Sequence, residues 1–214
     1  PLEKLYGTSF SLEQVAAALR KIGIDHVFDG RDAEALSQRK AAKLLDEQLG
    51  KGPLLLTENY AAKAFLQTRF PELPERFAFY DSPLKCFSDF AKSKFPGAKL
   101  IYISAENSNG AEALETGATD YFINPRELYR IFLRTGGAPT RRRPVEVEHI
   151  PVETVCAPYT EVLSEPLWSL HGSTQGIEFS KNGHTYRGLL CFNLLQAKKA
   201  IEHLDDTDVI RILA

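Results

Sequence analysis

The sequence predicts an α/β fold in which a parallel sheet is flanked by helices, together with a smaller α/β lobe that contains a hairpin. Three features lead to this prediction. Over residues 1–137, short apolar runs alternate with amphipathic helical patterns, as in strand–helix–strand units. The stretch 138–144, APTRRRP, indicates a linker. In residues 145–214, two extended runs flank an Asn-Gly pair, which is typical of a hairpin and predicts one over 177–190.

The helices of the first lobe have recognisable start signals. Ser11 and Gln14 form a capping box before the apolar stripe of the first helix. Asp32 is expected to cap a second helix, and Pro83 is expected in the first turn of a third. Asn124 begins another helix, with proline at its first position and glutamate at its third. Each helix therefore has a local reason to start where it does.

Apolar runs predict the strands of the first lobe. They lie at residues 24–28, 53–57, 99–104 and 119–123. We expect these four strands to form one parallel sheet with helices on both faces, because the connections between parallel strands are right-handed crossovers. In the second lobe, Asn193 caps a helix, and residues 208–213 predict a closing strand.

The composition excludes several function classes. The 214 residues are 43% hydrophobic and 25% charged, which is ordinary for a globular protein. A net charge of −2 provides no overall attraction to nucleic acid or to an anionic membrane. No apolar run approaches the ~20 residues of a membrane span, and the N-terminus lacks the apolar core of a signal peptide. We therefore expect a cytoplasmic protein without nucleic-acid or membrane partners.

The three cysteines are far apart in the sequence. Cys86, Cys156 and Cys191 form no C-x-x-C pair, which argues against a disulfide framework and against a four-cysteine zinc site. Free cysteines usually behave as small buried hydrophobic residues, and this is the expected role here. Convergence of the three thiols on one metal ion is the alternative.

Polar residues follow two of the predicted strands. In LLLTENYAAKAF, Glu58, Asn59 and Tyr60 come directly after an apolar run, and in YISAENSNG, Glu106 and Asn107 do so. Because ligands of parallel α/β sheets bind beyond the carboxyl ends of the strands, these residues are candidates for a cleft. Paired carboxylates can bind a divalent cation or perform acid–base chemistry, whereas solvated loop and capping roles are the alternative.

Six phrases occur in an order that resembles the catalytic domain of iron-only (di-iron) hydrogenases. They are AALRKIGIDHVFDG, TRFPEL, DSPLKCF, TDYFINPRELYRIFLRTG, IEFSKNGHTYRGLLCFNLLQAKKAIEHL and DVIRILA. The resemblance implies a two-lobed fold. It also implies, for the family, a four-iron cubane linked to a di-iron unit between the lobes and held by four thiolates.

The same resemblance implies that the cluster ligands are missing here. The family's first two cysteine motifs fall at residues 58–60 and near Glu106, where this chain has no thiol. The family's lysine that contacts the di-iron unit corresponds to Asp81, and the chain ends at Ala214, before the last motif is expected. We therefore expect no iron–sulfur or other cofactor, no metal and no catalytic residue. The expected ligand-binding cleft is lined by Glu58, Asn59, Tyr60, Asp81, Glu106 and Asn107.

The functional hypothesis is a hydrogenase-like domain with a degenerate active site. It acts as a binding, sensing or regulatory module, and its partners are other domains or proteins of a redox system. Two alternatives stay open. One is a fragment of an iron-only hydrogenase whose cluster ligands lie outside this chain, and the other is an enzyme of another class that uses the carboxylate-lined cleft.

Overall fold

The computed structural model describes residues 10–152, 159–163 and 174–213. The chain forms two compact units, and each combines two separate stretches. The first unit consists of Pro1–Ala33 and Phe87–Val152, and the second of Glu34–Cys86 and Glu153–Ala214. The sequence predicts two lobes that are each one continuous stretch, 1–137 and 145–214. In the structure each unit combines two stretches, and the expected linker 138–144 lies within the first unit.

The elements alternate in the manner of an α/β protein, which confirms the predicted fold class. The helices in the described part of the chain are α1 Leu12–Lys21, α2 Gly30–Gln48, α3 Tyr60–Arg69, α4 Pro83–Lys94, α5 Asn107–Thr116, α6 Pro125–Thr135, α7 Thr160–Leu163 and α8 Leu194–Ile201. The strands are β1 Leu54–Thr57, β2 Phe77–Phe79, β3 Ile101–Ile103, β4 Tyr121–Ile123, β5 Gln175–Lys181, β6 His184–Cys191 and β7 Val209–Ile212. Short 3-10 turns lie at Pro74–Arg76, Pro139–Arg141 and Leu204–Asp206.

The second unit contains a five-stranded sheet in the order β2-β1-β7-β6-β5. Only the β5–β6 pair is antiparallel. Alternate residues of β1 enter two apolar clusters: Leu56 packs with Leu45 of α2, while Leu55 packs with Leu66 of α3 and Ala197 of α8. Because successive strand residues point to opposite faces, this pattern means that helices cover both faces of the sheet.

The hairpin predicted over 177–190 is present as β5 and β6. Asn182 and Gly183 connect the strands with φ angles of 52° and 80°. Positive φ at both central residues is the geometry of a type I′ turn, whose twist matches that of the flanking strands. The Asn-Gly pair is therefore the local cause of this hairpin.

The single four-stranded sheet predicted from the apolar runs is wrong. The first unit holds a separate two-stranded parallel sheet of β3 and β4, whereas β1 belongs to the second unit. Residues 24–28 form no strand and contribute only a parallel bridge between Phe28 and Glu148. The physical reason is that both edges of β1 are already paired, one with β2 and the other with β7.

The helix starts follow the predicted capping in most cases. Ser11 and Gln14 form the expected capping box of α1, and Asn124 caps α6 in the same way. The exception is Asp32, which lies inside the first turn of α2 because that helix begins at Gly30. Its carboxylate accepts the backbone N–H of Ile150 at 2.8 Å instead. None of the helices described above has the length and apolar content that crossing a bilayer requires.

Candidate functional site

The carboxyl ends of β2, β1 and β7 lie next to one another because β1 pairs in parallel with both of its neighbours. Each strand contributes one polar side chain at this edge. Glu58 follows β1, Tyr80 follows β2, and Arg211 lies in β7 one residue before its end. We call these three residues the strand-end cluster.

Glu58 is held by the other two members of the strand-end cluster. The hydroxyl of Tyr80 donates a hydrogen bond to Oε2 of Glu58, and Nη2 of Arg211 lies 3.6 Å from Oε1. The Glu58 side chain is 20% exposed. Both carboxylate oxygens therefore already have an internal partner, so this glutamate differs from a solvated loop residue.

Arg211 is the most deeply buried charged group of the cluster. Its side chain is only 3% exposed, and its Nη1 donates to the carbonyl of Val162 at 3.0 Å. Burying a guanidinium is costly unless a counter-charge and hydrogen-bond acceptors accompany it. Glu58 supplies the counter-charge, which explains why a carboxylate stands at the end of β1.

Tyr80 remains a hydrogen-bond donor over the whole ordinary pH range. Burial, first, and then the nearby Glu58 carboxylate raise the pKa of Tyr80 well above its ordinary value. The protonated phenol and the buried guanidinium both face the Glu58 carboxylate, so the strand-end cluster holds a negative charge between a hydrogen-bond donor and a cation.

Asn59 has a structural role at the start of α3. Its side chain accepts the N–H of Ala62 at 3.0 Å, and its own N–H donates to the hydroxyl of Thr57 at 3.0 Å. That hydroxyl donates to the carbonyl of Ile212 at 2.8 Å. These bonds attach the helix start to the end of β7. Tyr60 begins α3 and is partly exposed.

The negative charge of Asp81 has a positive partner in the second unit. Its carboxylate lies 2.5 Å from Nζ of Lys40. Partial burial acts to raise the pKa of Asp81, but the hydrogen bond from Lys40 and the charges of Lys40, Lys85 and Lys63 outweigh it, so the pKa is lowered. The backbone around Asp81 is also fixed, since Ser37 donates to its carbonyl at 2.6 Å.

Glu106 and Asn107 belong to the first unit, at the end of β3. Glu106 is exposed and precedes α5 without a side-chain capping bond to the helix. Its carboxylate accepts the side-chain amide of Asn109 at 3.2 Å. Asn107 is the first residue of α5, and its side chain lies outside the described part of the structure. Because Glu58 and Glu106 lie in different units, a shared carboxylate site stays a prediction.

The cysteines for which the structure gives a position are buried and form no disulfide. They are Cys86 and Cys191, and Cys156 lies outside the described residues. Burial raises the pKa of Cys191 to about 11, so this thiol is protonated at neutral pH. Within residues 10–152, 159–163 and 174–213, no group of three His, Cys, Asp or Glu side chains could hold a metal ion.

Sequence reasoning missed Tyr80 and Arg211. Tyr80 follows β2, a strand that was not predicted, although the aromatic run of residues 77–80 is typical of strands. Arg211 interrupts the apolar run DVIRIL, and a lone arginine in a buried strand indicates a partner. The identity of that partner depends on which strand lies alongside.

A model of the family described as iron only hydrogenase large subunit, C-terminal domain, matches residues 3–162. Two variants of the FeFe-hydrogenase HydA1 from Chlamydomonas reinhardtii, one of them in the apo form, have similar structures. Each is 17% identical to this chain. The alignments cover all of this chain and 73% and 74% of the two hydrogenase chains, with TM-scores of 0.75 and 0.76. A HydA(deltaEFG) structure titled for stepwise H-cluster assembly is also 17% identical, with a TM-score of 0.65 over 99% of this chain and 73% of its own. No curated protein matches.

Proposed function

The chain belongs to the family of C-terminal domains of iron-only hydrogenase large subunits, and we propose that this member is a binding or regulatory module without the family's iron–sulfur and di-iron cluster. Its partners are other domains or proteins of a redox system. The observation that supports this proposal most directly is the strand-end cluster, in which Glu58 after β1 accepts a hydrogen bond from Tyr80 and is paired with Arg211 of β7.

The donor set at the strand ends does not fit an iron–sulfur cluster. Such clusters are held by thiolates, and the residues that follow β1, β2 and β3 include Glu58, Asp81 and Glu106.

The charge of the strand-end cluster also disfavours a metal cation. The buried Arg211 guanidinium lies 3.6 Å from the Glu58 carboxylate, so a cation at this carboxylate would be repelled at short range. Both oxygens of Glu58 would also have to exchange their present partners for the metal. These two effects support a binding or regulatory role without a bound metal over the alternative of a cation-dependent enzyme.

Anaerobic reconstitution tests the proposal. The full chain is incubated with ferrous iron, sulfide and reductant, desalted, and analysed for iron, acid-labile sulfide and visible absorbance, with an authentic iron-only hydrogenase treated in parallel. We expect the hydrogenase to gain a cluster and this protein to retain neither iron nor sulfide. Stoichiometric iron and sulfide together would overturn the proposal and favour an iron–sulfur protein.

A variant makes the negative result informative. Glu58→Cys with Asn59→Cys places two thiols at the end of β1, where the family's first cysteine motif falls. This variant should bind more iron than the parent chain under the same conditions, because iron–sulfur clusters are held by thiolates. Equal binding by both would indicate iron held elsewhere on the surface.

A further inference from the structure

The ammonium group of Lys94 lies among three phenylalanine rings. Its Nζ atom is 5.5 Å from the ring centroid of Phe28, 5.4 Å from that of Phe90 and 5.3 Å from that of Phe95. A ring face attracts a cation within about 6 Å of its centroid, so all three rings act on this charge. The four residues belong to the first unit. We call the three rings the aromatic cage.

Two separate parts of the chain build the aromatic cage. Phe90 and Lys94 are four residues apart in α4, so their side chains lie on the same side of that helix. Phe95 follows the last residue of α4, and its N–H donates to the carbonyl of Ala91 at 2.8 Å. Phe28 precedes α2 and forms the parallel bridge with Glu148. The backbone on both sides of the cage is therefore held by hydrogen bonds.

The rings of the aromatic cage also support one another. The Phe28 ring meets the Phe90 ring edge-on at a centroid distance of 5.4 Å and lies 6.1 Å from the Phe95 ring. Aromatic pairs at centroid separations of about 4.5–7 Å attract each other. The ring of His26 stacks on Phe95 in addition. None of these contacts involves the lysine, so the cage should persist when the Lys94 side chain is changed.

The aromatic cage holds the ammonium group by ring faces rather than by an acceptor. In the ranges that the structure describes, no carboxylate lies within ion-pair distance of Lys94, whereas Lys99 pairs with Asp120 at 2.7 Å. Ring faces attract positive charge, but N–H donors that lose water without gaining an acceptor are costly. The side chain of Lys94 is exposed, so its N–H groups can still reach water.

A quaternary ammonium group suits the aromatic cage better than a lysine does. It carries a positive charge without N–H donors, and its methyl groups make apolar contacts with the ring faces. Each of the three rings is partly exposed, so a group in solution can reach them. The four-carbon stem of a lysine is flexible, which allows Lys94 to leave the cage for water.

We propose that the aromatic cage is a binding site for a quaternary ammonium group, and that the Lys94 ammonium occupies it when no ligand is bound. The ligand replaces one cation by another, and the lysine side chain turns outward. This inference goes beyond the proposed function, because the aromatic cage shares no residue with the strand-end cluster and its ligand is independent of iron binding.

Choline is a suitable probe, and its uncharged isostere, with carbon in place of nitrogen, is the control. Isothermal titration calorimetry on the full chain should give saturable one-to-one binding of choline. The isostere should bind about threefold more weakly or less tightly still, since it has the same shape without the charge. No binding of choline to the parent or to Lys94→Gln, or equal affinity of choline and the isostere, would overturn the proposal.

A peptide that carries one trimethyllysine is titrated in parallel, because it presents the same group from a different source. Tighter binding than that of choline would support the proposal with a methylated protein segment as the ligand. Weaker but saturable binding would support it with a small solute as the ligand.

Two lysine variants test the occupancy by Lys94. Lys94→Gln removes the internal competitor, so choline should bind about threefold more tightly or better, because the free cage is then the main state. Lys92→Gln removes the same charge from an exposed position of α4 whose Nζ lies 3.3 Å from the carbonyl of Gly117, and it should change the affinity little. If both variants tighten binding equally, the effect is general electrostatics and the proposal fails.

Ring variants in the Lys94→Gln background locate the site. Phe28→Leu and, separately, Phe95→Leu should each weaken choline binding by about threefold or more, because one ring face is lost. Phe65→Leu makes the same change at a partly buried position of the second unit and should have little effect. Circular dichroism verifies that each variant is folded. Unchanged affinity in a folded Phe28→Leu or Phe95→Leu variant would overturn the proposal.

Discussion

The ends of β1 and β3 carry the same residue type in different surroundings. At β1, Glu58 is mostly buried and bound to Tyr80 and Arg211. At β3, Glu106 is exposed and bound to an asparagine three residues along the same helix start. The difference follows from the sheets: β1 has a parallel neighbour on each side, whereas β3 pairs only with β4 in the part of the chain that the structure describes.

This comparison shows that the role of a carboxylate after a strand depends on the adjacent strands. A central strand receives side chains from both neighbours, and these can bury and pair the charge. A strand with one neighbour leaves its terminal residue to local partners and to water. The expected energetic consequence is that equivalent substitutions have large effects at β1 and small effects at β3.

The largest expected effect is that of Arg211→Met. This change leaves the Glu58 carboxylate without its counter-charge and the Val162 carbonyl without its donor. Loss of one partner from a buried ion pair should lower the free energy of unfolding by about 3 kcal/mol, measured by urea denaturation. Adding Glu58→Gln to this variant should cost little more, since the unpaired charge is then removed. Fully additive losses would contradict the pairing.

Tyr80→Phe is expected to have an intermediate effect. It removes the hydroxyl that donates to Glu58, with an expected loss of about 1–2 kcal/mol in the free energy of unfolding.

The contribution of Tyr80 to the free energy of unfolding should decrease at alkaline pH. Folding raises its pKa, so its contribution to stability is complete below the unfolded value of 10.0 and is lost as the pH rises above it. The parent chain should therefore lose stability at alkaline pH more steeply than Tyr80→Phe. Parallel alkaline profiles, measured by thermal unfolding, would argue against a buried protonated phenol.

Asp81→Asn should have a smaller effect on stability. Folding lowers the pKa of Asp81, so its contribution is present above 3.8 and is lost as the pH falls through the folded value. Because Asp81 and Lys40 are nearly half exposed, the loss at neutral pH should be below about 1 kcal/mol. A difference between parent and variant that grows with decreasing pH would have the opposite sign and contradict the Lys40–Asp81 pair.

Glu106→Gln is expected to have the smallest effect, within about 0.5 kcal/mol, because exposed substitutions away from buried networks rarely change stability more. It is the matched control for Glu58→Gln, which makes the same chemical change at the end of β1. Similar losses in the two variants, measured by urea denaturation, would remove the distinction between the two strand ends.

Local signals in the sequence were sufficient for most elements. The capping boxes at Ser11 and Asn124, the cap at Asn193 and the Asn-Gly hairpin all occur as predicted. These features depend on bonds between residues within a few positions of each other, so their physical cause is contained in the local sequence. The candidate residues of the strand ends were also visible, since they follow apolar runs directly.

Only the tertiary structure decided which strands are neighbours, and with that the nature of the candidate site. The pairing of β1 with β7 brings Arg211 to Glu58 across more than 150 positions of the chain, and β2 brings Tyr80. Pairing between distant strands depends on how whole apolar faces pack, and local propensity carries no information about it. The sequence by itself therefore determined the helices, the hairpin and the acidic strand ends, whereas burial and charge pairing at the end of β1 arose from long-range packing.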